Sequence, residues 1–252
     1  QWDAAEVMRG EFIEQFAQGN TAPKGAETFV LRCLLDGDTG EVGYTEREEH
    51  AARYFEQVAP QWDKLRSLYV SESAVEAALE RAIGSGPFER VVDLGTGSGR
   101  MLTLFGRRAK MSVGLDLSQN MLNIARANAS KAGLDKVELR HGDIFATRLP
   151  AESADLVIVH QVLHYLADPA AAAAEAARLV MPGGRLVIVD FAPHAFEHMR
   201  EAHQHRRLGF ADSEIAGWLT EAGLAVEPPV ALPPDTDGLT VTIWGARRPA
   251  LS

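Results

Sequence analysis

At Val91-Val92-Asp93-Leu94-Gly95-Thr96-Gly97-Ser98-Gly99-Arg100 an apolar run passes directly into a turn with glycine at every second position. Such a junction suits a buried strand that turns sharply into a helix. The glycines allow backbone conformations closed to other residues, and they let a ligand lie against the chain without meeting a Cβ. Dinucleotide sites use the same device, so neighbouring chemistry has to decide between ligands. Here the spacing is G-x-G-x-G, and Arg100 stands where a dinucleotide fingerprint needs glycine. Asp93 ends the strand just before the turn. A carboxylate there repels a pyrophosphate and attracts an ammonium group.

Beyond this junction the chain alternates strand-like and helical patterns. Residues 90–94, 112–116, 136–140, 155–160 and 185–191 are Val/Ile/Leu-rich runs. Residues 100–108, 118–131 and the alanine-rich 169–180 carry helical periodicity between them. Continuous apolar strands alternating with helices predict a parallel sheet covered on both faces, an α/β doubly wound, Rossmann-like domain. Ligands of such sheets bind at the carboxyl ends of the strands. Later, 212–222 reads as a helix closed by Gly223, with strands over 224–227 and 239–246. The pairs Pro228-Pro229 and Pro233-Pro234 predict a loop at the sheet edge. Before the junction, 73–83 predicts a helix, and Thr45-Glu46-Arg47-Glu48 has the form of a capping box. The expected division is an N-terminal helical extension or lid over 1–70 and a ligand-binding domain over 71–252.

The second strand ends at Asp116, 17 residues beyond Gly99. That is near the ~20-residue offset at which an acidic side chain meets ribose hydroxyls. Met121, one turn into the next helix, offers an apolar surface for an adenine, or core packing. The third strand runs into His141-Gly142-Asp143-Ile144, where an Asp can accept from an adenine amino group and Gly142 leaves room for the ring. S-adenosylmethionine has an ammonium, a sulfonium, a ribose, an adenine and no phosphate, and it matches this sequence of groups.

Taken in order, the Asp93–Gly99 motif, Asp116, Gly142-Asp143 and Met181-Pro182-Gly183-Gly184-Arg185-Leu186 resemble the class I S-adenosylmethionine-dependent methyltransferases. The resemblance implies a seven-stranded sheet whose last strand is antiparallel. It also implies cofactor binding by Asp93, Gly95, Thr96, Gly97 and Gly99 at the methionine end. Asp116 would serve the ribose and Gly142-Asp143 the adenine, with Leu117, Met121 and Ile144 as further cofactor-binding residues. A narrower resemblance rests on Tyr54-Phe55, Ala59-Pro60-Gln61-Trp62-Asp63, His160-Gln161-Val162-Leu163-His164-Tyr165, Asp190-Phe191-Ala192-Pro193-His194 and His203-Gln204-His205-Arg206-Arg207-Leu208-Gly209-Phe210. These look like the methyltransferase domains fused behind ArsR-like winged-helix repressors in bacteria. The stretch before Thr45 offers no helix-turn-helix, so DNA binding is not expected of this chain.

Methyl transfer is an in-line displacement, in which the protein positions the nucleophile and excludes water. A base is needed only for an acceptor that is protonated at working pH. The fourth strand delivers His160 to the carboxyl edge, with His164 one turn later, and these are the candidate bases; packing against the cofactor is the alternative for both. Tyr54 and Trp62 lie on an expected helix that either closes over the cofactor, where aromatic faces suit a sulfonium, or packs on the sheet. On one continuous helix His194, His198, Glu201 and His205 would share a face, but Pro193 puts His194 at its very start, and no metal is assigned. No Asn/Asp-Pro-Pro-Tyr follows the fourth strand, which disfavours adenine or amide nitrogen as acceptor. One cysteine disfavours multi-thiol mechanisms.

The expected function is therefore methyl transfer from S-adenosylmethionine to a small-molecule acceptor. The alternative is a regulatory module that senses S-adenosylmethionine or S-adenosylhomocysteine. A formal net charge of −10 argues against nucleic-acid partners. The lone Cys33 and the absence of a long apolar span or signal-like N-terminus lead to a cytoplasmic expectation without membrane insertion. A homodimer is left open.

Overall fold

The computed structural model describes residues 72–234 and 238–250, with the side chains of 201 and 202 left aside. The expected extension over 1–70, with Tyr54 and Trp62, lies outside the described residues. The strands are β1 (Phe88–Leu94), β2 (Ala109–Asp116), β3 (Val137–His141), β4 (Ala154–His160), β5 (Val180–Phe191), β6 (Ala225–Val226), β7 (Val230–Leu232) and β8 (Val241–Arg247). The helices are α1 (Glu72–Ile83), α2 (Arg100–Phe105), α3 (Gln119–Lys131), α4 (Pro169–Leu179), α5 (His198–Ala202) and α6 (Asp212–Glu221).

Sheet order is β3-β2-β1-β4-β5-β8-β6, with β7 also paired to β8. The first five strands are parallel, and β8 runs antiparallel beside β5. Alternation along each strand divides the core between the two faces. Val92, Leu94, Val157, Val159, Leu186 and Ile188 pack on one side with α4 and α6. Val91, Leu156, Ile158, Val187 and Val189 pack on the other with α1 and α2. Each such side chain, fully buried, contributes about 1.5–3 kcal/mol relative to exposure, so the register of the central strands is strongly specified.

Local signals set the helix starts. Ser118 Oγ accepts from Met121 N at 3.3 Å to begin α3. Asp168 Oδ1 accepts from Ala171 N at 3.0 Å, with Pro169 in the first turn of α4. Residues 106–108 were expected to continue α2 but form a 3₁₀ turn beginning at Gly106, a poor residue to propagate an α-helix. The proline-flanked loop expected at the edge contains β7. Val230, Ala231 and Leu232 pair with Ile243, Thr242 and Val241, while β6 pairs with the other end of β8. An edge strand has one side unpaired, so Pro228-Pro229 interrupts it without leaving a buried donor unmet. The seventh sheet position is thus one edge strand in two pieces. Among the described residues no helix is long and apolar enough to cross a membrane.

Candidate functional site

From β1 the chain crosses one way to β2 and β3 and later the other way to β4 and β5. The crevice beyond β1 and β4 is therefore a topological switch point, where open α/β sheets bind ligands. The glycine turn occupies it. Gly95, Gly97 and Gly99 have φ of 70°, 51° and 77°, in the left-handed region that favours glycine. Gly95 N and Thr96 N both donate to Leu115 O, at 2.8 and 2.9 Å, and Gly99 N donates to Thr96 O at 2.8 Å. Thr96 Oγ1 donates to Asp93 Oδ2 at 2.6 Å. Asp93 and Thr96 are both buried, so the turn is held from beneath by side chains that sequence spacing alone brings together.

The second carboxylate closes the cradle. Asp116 Oδ2 accepts from Gly97 N at 2.7 Å, and its Oδ1 accepts from Ser118 N at 2.8 Å. Both oxygens are thereby fixed, and each retains a lone pair for a hydroxyl. Burial pushes the Asp116 pKa up, against the lowering by the Ser118 and Gly97 N–H groups. Arg100 bonds through Nε to Glu76 on α1 at 2.5 Å. Carboxylates at the ends of β1 and β2, with the adjacent guanidinium held by Glu76, suit ammonium and hydroxyl groups and oppose a pyrophosphate. By donor chemistry the residues fit S-adenosylmethionine.

The adenine-side residues divide by exposure. Leu117 is 55% exposed, whereas Met121 is 2% exposed; the apolar surface presented at this edge is Leu117. Gly142 N donates to Asp116 O at 3.0 Å. Asp143 is exposed and its Oδ1 accepts from Phe145 N at 2.9 Å, while Ile144 is buried.

His160 ends β4, half-buried. The next residues bend under strain: Gln161 has φ of 54° and donates its N–H to Val189 O at 2.7 Å. Val162 then lies against the glycine turn, so close that a Cβ on Gly95 would stand 2.4 Å from Val162 Cγ2. His164 follows in a 3₁₀ turn, Leu163–Tyr165, and is 2% exposed. Its Nδ1 is 2.7 Å from Asp190 Oδ1. The sequence points to His164 and gives Asp190 no role. The available signal was a carboxylate inside the apolar run of β5, which a fold tolerates only with a partner. The partner is 26 residues away and invisible to spacing arguments.

The histidine segment does not form one helix, because only His198–Ala202 is helical. The continuous face of His194, His198, Glu201 and His205 is therefore not made. His205 instead turns inward, 5% exposed, with its ring stacked on Phe191 and 4.2 Å from that of His164. Burial, with the neighbouring His164 and His194, lowers its pKa to about 2, so it stays neutral. Burial lowers His194 too.

Residues 92–188 match the family model described as "Methyltransferase domain". The chain is 32% identical over 196 residues to a demethylmenaquinone methyltransferase of Thermus thermophilus, covering 71% of this chain and 86% of that one. It is 27% identical over 161 residues to a ubiquinone biosynthesis O-methyltransferase of Stutzerimonas stutzeri, covering 57% and 68%. Among solved structures, the N-methyltransferase NodS from Bradyrhizobium japonicum with S-adenosyl-L-homocysteine superposes with a TM-score of 0.65 at 19% identity, covering 79% of this chain and 98% of that one. A switch-point cradle whose carboxylates reject phosphate and welcome a ribose thus coincides with the region that the family model covers, and the chain belongs to the class I S-adenosylmethionine-dependent methyltransferases.

Proposed function

We propose that this enzyme methylates a small molecule bearing a ring hydroxyl, held at the carboxyl edge of β4. The observation that carries the reading is the pair of strand-end carboxylates, Asp93 and Asp116, locked around the Gly95–Gly99 turn by Thr96 Oγ1 and Gly97 N. In this reading Asp93, Gly95, Thr96, Gly97 and Gly99 receive the methionine end and Asp116 the ribose hydroxyls. Leu117, Gly142 and Asp143 form the adenine side, with Met121 and Ile144 packed in the core beneath them. S-adenosylmethionine supplies a methyl group activated by its sulfonium. His160, at the end of the strand beside the glycine turn, borders the acceptor. Relatives named for quinone-related substrates support a ring-bearing acceptor.

The DFAPH and HQHRRLGF stretches support a relation to the methyltransferase domains fused with ArsR-like repressors, and we assign the protein a cytoplasmic location. The test is calorimetric titration with S-adenosylmethionine and S-adenosylhomocysteine, on wild type and Asp116→Ala, followed by a methylation screen of phenols, quinols and amines. Micromolar binding that falls at least ~30-fold in the variant, as expected for losing hydrogen bonds to a charged acceptor, supports the cofactor site. Well-folded protein that binds neither ligand would sink the reading. Tight binding with no turnover across the screen would instead favour a sensor.

A further inference from the structure

A second buried polar cluster lies at the ends of β4 and β5, and cofactor binding does not account for it. Asp190 is fully buried near the end of β5. Its carboxylate faces Nδ1 of His164 at 2.7 Å and accepts from His164 N at 3.3 Å and Phe191 N at 2.8 Å. A carboxylate removed from water is costly unless its charge is satisfied, and here the ring of His164 and two backbone N–H groups do so. An ionised carboxylate only accepts, so the proton of the neutral imidazole sits on Nδ1 and its lone pair on Nε2. Among the described residues, Nδ1 carries the ring's hydrogen bond and Nε2 makes none.

The segment carrying this imidazole touches the cofactor cradle. Val162, two residues before His164, is the side chain packed onto Gly95, so the chain entering the His164 turn rests against the glycine loop. Its back is closed by Tyr165, Phe191 and His205, whose ring centroids are 4.0, 5.0 and 4.2 Å away. The groups facing it are Asp190 from β5, Tyr165 beside it, and His205 and His194 from the segments flanking α5. Arg206 and Arg207 donate their backbone N–H groups to the carbonyl oxygen of His164. Arg200 acts on His194 and His205. A neutral His205 adds no positive charge beside the His164 ring, and among the described residues Asp190 is the carboxylate in contact with that ring.

We propose that His164, oriented by Asp190, is the base that takes the proton of a phenolic or enolic acceptor, with Asp190 as its positioning residue. This rests on the methyl-transfer reading above. The acceptor oxygen's electron pair forms the bond to the methyl carbon, and the pair of the broken carbon–sulfur bond stays on sulfur. The hydroxyl proton moves to His164 Nε2, and the resulting imidazolium keeps its Nδ1–H on Asp190 until the proton returns to water. Imidazole suits a phenol, which ionises near ~10, far better than an aliphatic alcohol. The acceptor class is therefore a weakly acidic hydroxyl.

Two measurements on the full chain loaded with S-adenosylhomocysteine test this without an identified substrate. The first is the NMR spectrum of isotope-labelled imidazole nitrogens, with His164→Gln providing the assignment. His164 is expected with Nδ1 protonated and Nε2 bare, and Asp190→Asn is expected to disturb that tautomer. A wild-type His164 protonated on Nε2 overturns the proposal. The second is titration with nitrocatechol, whose phenolate absorbs in the visible. Wild type is expected to bind it as phenolate below the pH at which it ionises in water. In His164→Gln that band should fall about 100-fold, the lower end of what a positioned base contributes. S-adenosylhomocysteine affinity should change less than about twofold, since no cofactor contact is removed. An undiminished phenolate band in the variant, or no nitrocatechol binding by wild type, overturns the proposal. Loss of S-adenosylhomocysteine binding by wild type would instead break the cofactor reading on which it rests.

Discussion

Replacing Gly95 by alanine probes the contact that joins the glycine turn to the segment after β4. Two costs are separable. At φ of 70° a residue with a Cβ pays about 1–2 kcal/mol for the left-handed conformation. The new Cβ also stands 2.4 Å from Val162 Cγ2 and 3.0 Å from Cγ1, well inside the ~3.5–4.0 Å of an optimal carbon contact. Relieving that overlap by moving a branched, half-buried side chain costs about 1–3 kcal/mol. Gly95→Ala should therefore lose about 2–5 kcal/mol, a large part of the ~5–15 kcal/mol that holds a domain together. Val162→Ala alone removes two partly buried methyl groups and should cost about 1 kcal/mol. In the double variant only Val162 Cβ, 3.3 Å away, still crowds the new Cβ, so the sum of the single losses should exceed the measured loss by about 1–3 kcal/mol. Urea unfolding of the four proteins measures the cycle, and S-adenosylhomocysteine titration shows whether the turn recovers its ligand. Additivity within about 0.5 kcal/mol would refute the idea that Val162 sets the position of the turn.

Other outcomes concern charge. His205 has its pKa depressed from 6.5 to about 2, so the unfolded chain takes up this proton first as pH falls. Its contribution to stability is complete above 6.5 and shrinks by up to about 1.4 kcal/mol per pH unit below that. Urea midpoints measured from neutral to mildly acidic pH should fall less steeply in His205→Phe than in wild type, and parallel slopes would refute the assignment. Asp116 behaves oppositely, because burial raises its pKa: the native state takes up the proton first, so this group alone favours folding as pH falls through the window above 3.8. Protonation removes the ribose acceptor, so S-adenosylhomocysteine binding should begin to weaken at a higher pH than an ordinary carboxylate would dictate. Calorimetry across pH checks this, and Asp116→Asn should bind weakly at every pH. Glu175 has its pKa lowered by its bond to Arg178 and also accepts from Thr147 N and Oγ1. Glu175→Gln should lower stability by about 1.5–3 kcal/mol, the range for hydrogen bonds to a charged group, read as a shifted urea midpoint.

Some of this protein was decided by the chain's local chemistry. The alternation of apolar runs with helical periodicity is enough to specify a parallel sheet, because strands buried on both faces must be apolar throughout. Gly95, Gly97 and Gly99 declare a turn, since their φ values are ones that other residues reach at a cost. Asp93 and Asp116 declare the ligand, because strand-end carboxylates decide between a phosphate and an ammonium or a hydroxyl. Ser118 and Asp168 fix helix starts through bonds three residues long. Contacts across the sequence were settled only in three dimensions. The edge strand at Val230–Leu232 exists because β8 lies beside it, whatever its flanking prolines suggest. His205 leaves the helical face that its spacing implies, because a ring stacked on Phe191 buries more than one on a solvated helix. Asp190 found His164 across 26 residues. Local propensity is short-ranged and readable in sequence, but which buried charge meets which ring depends on β4 and β5 standing side by side.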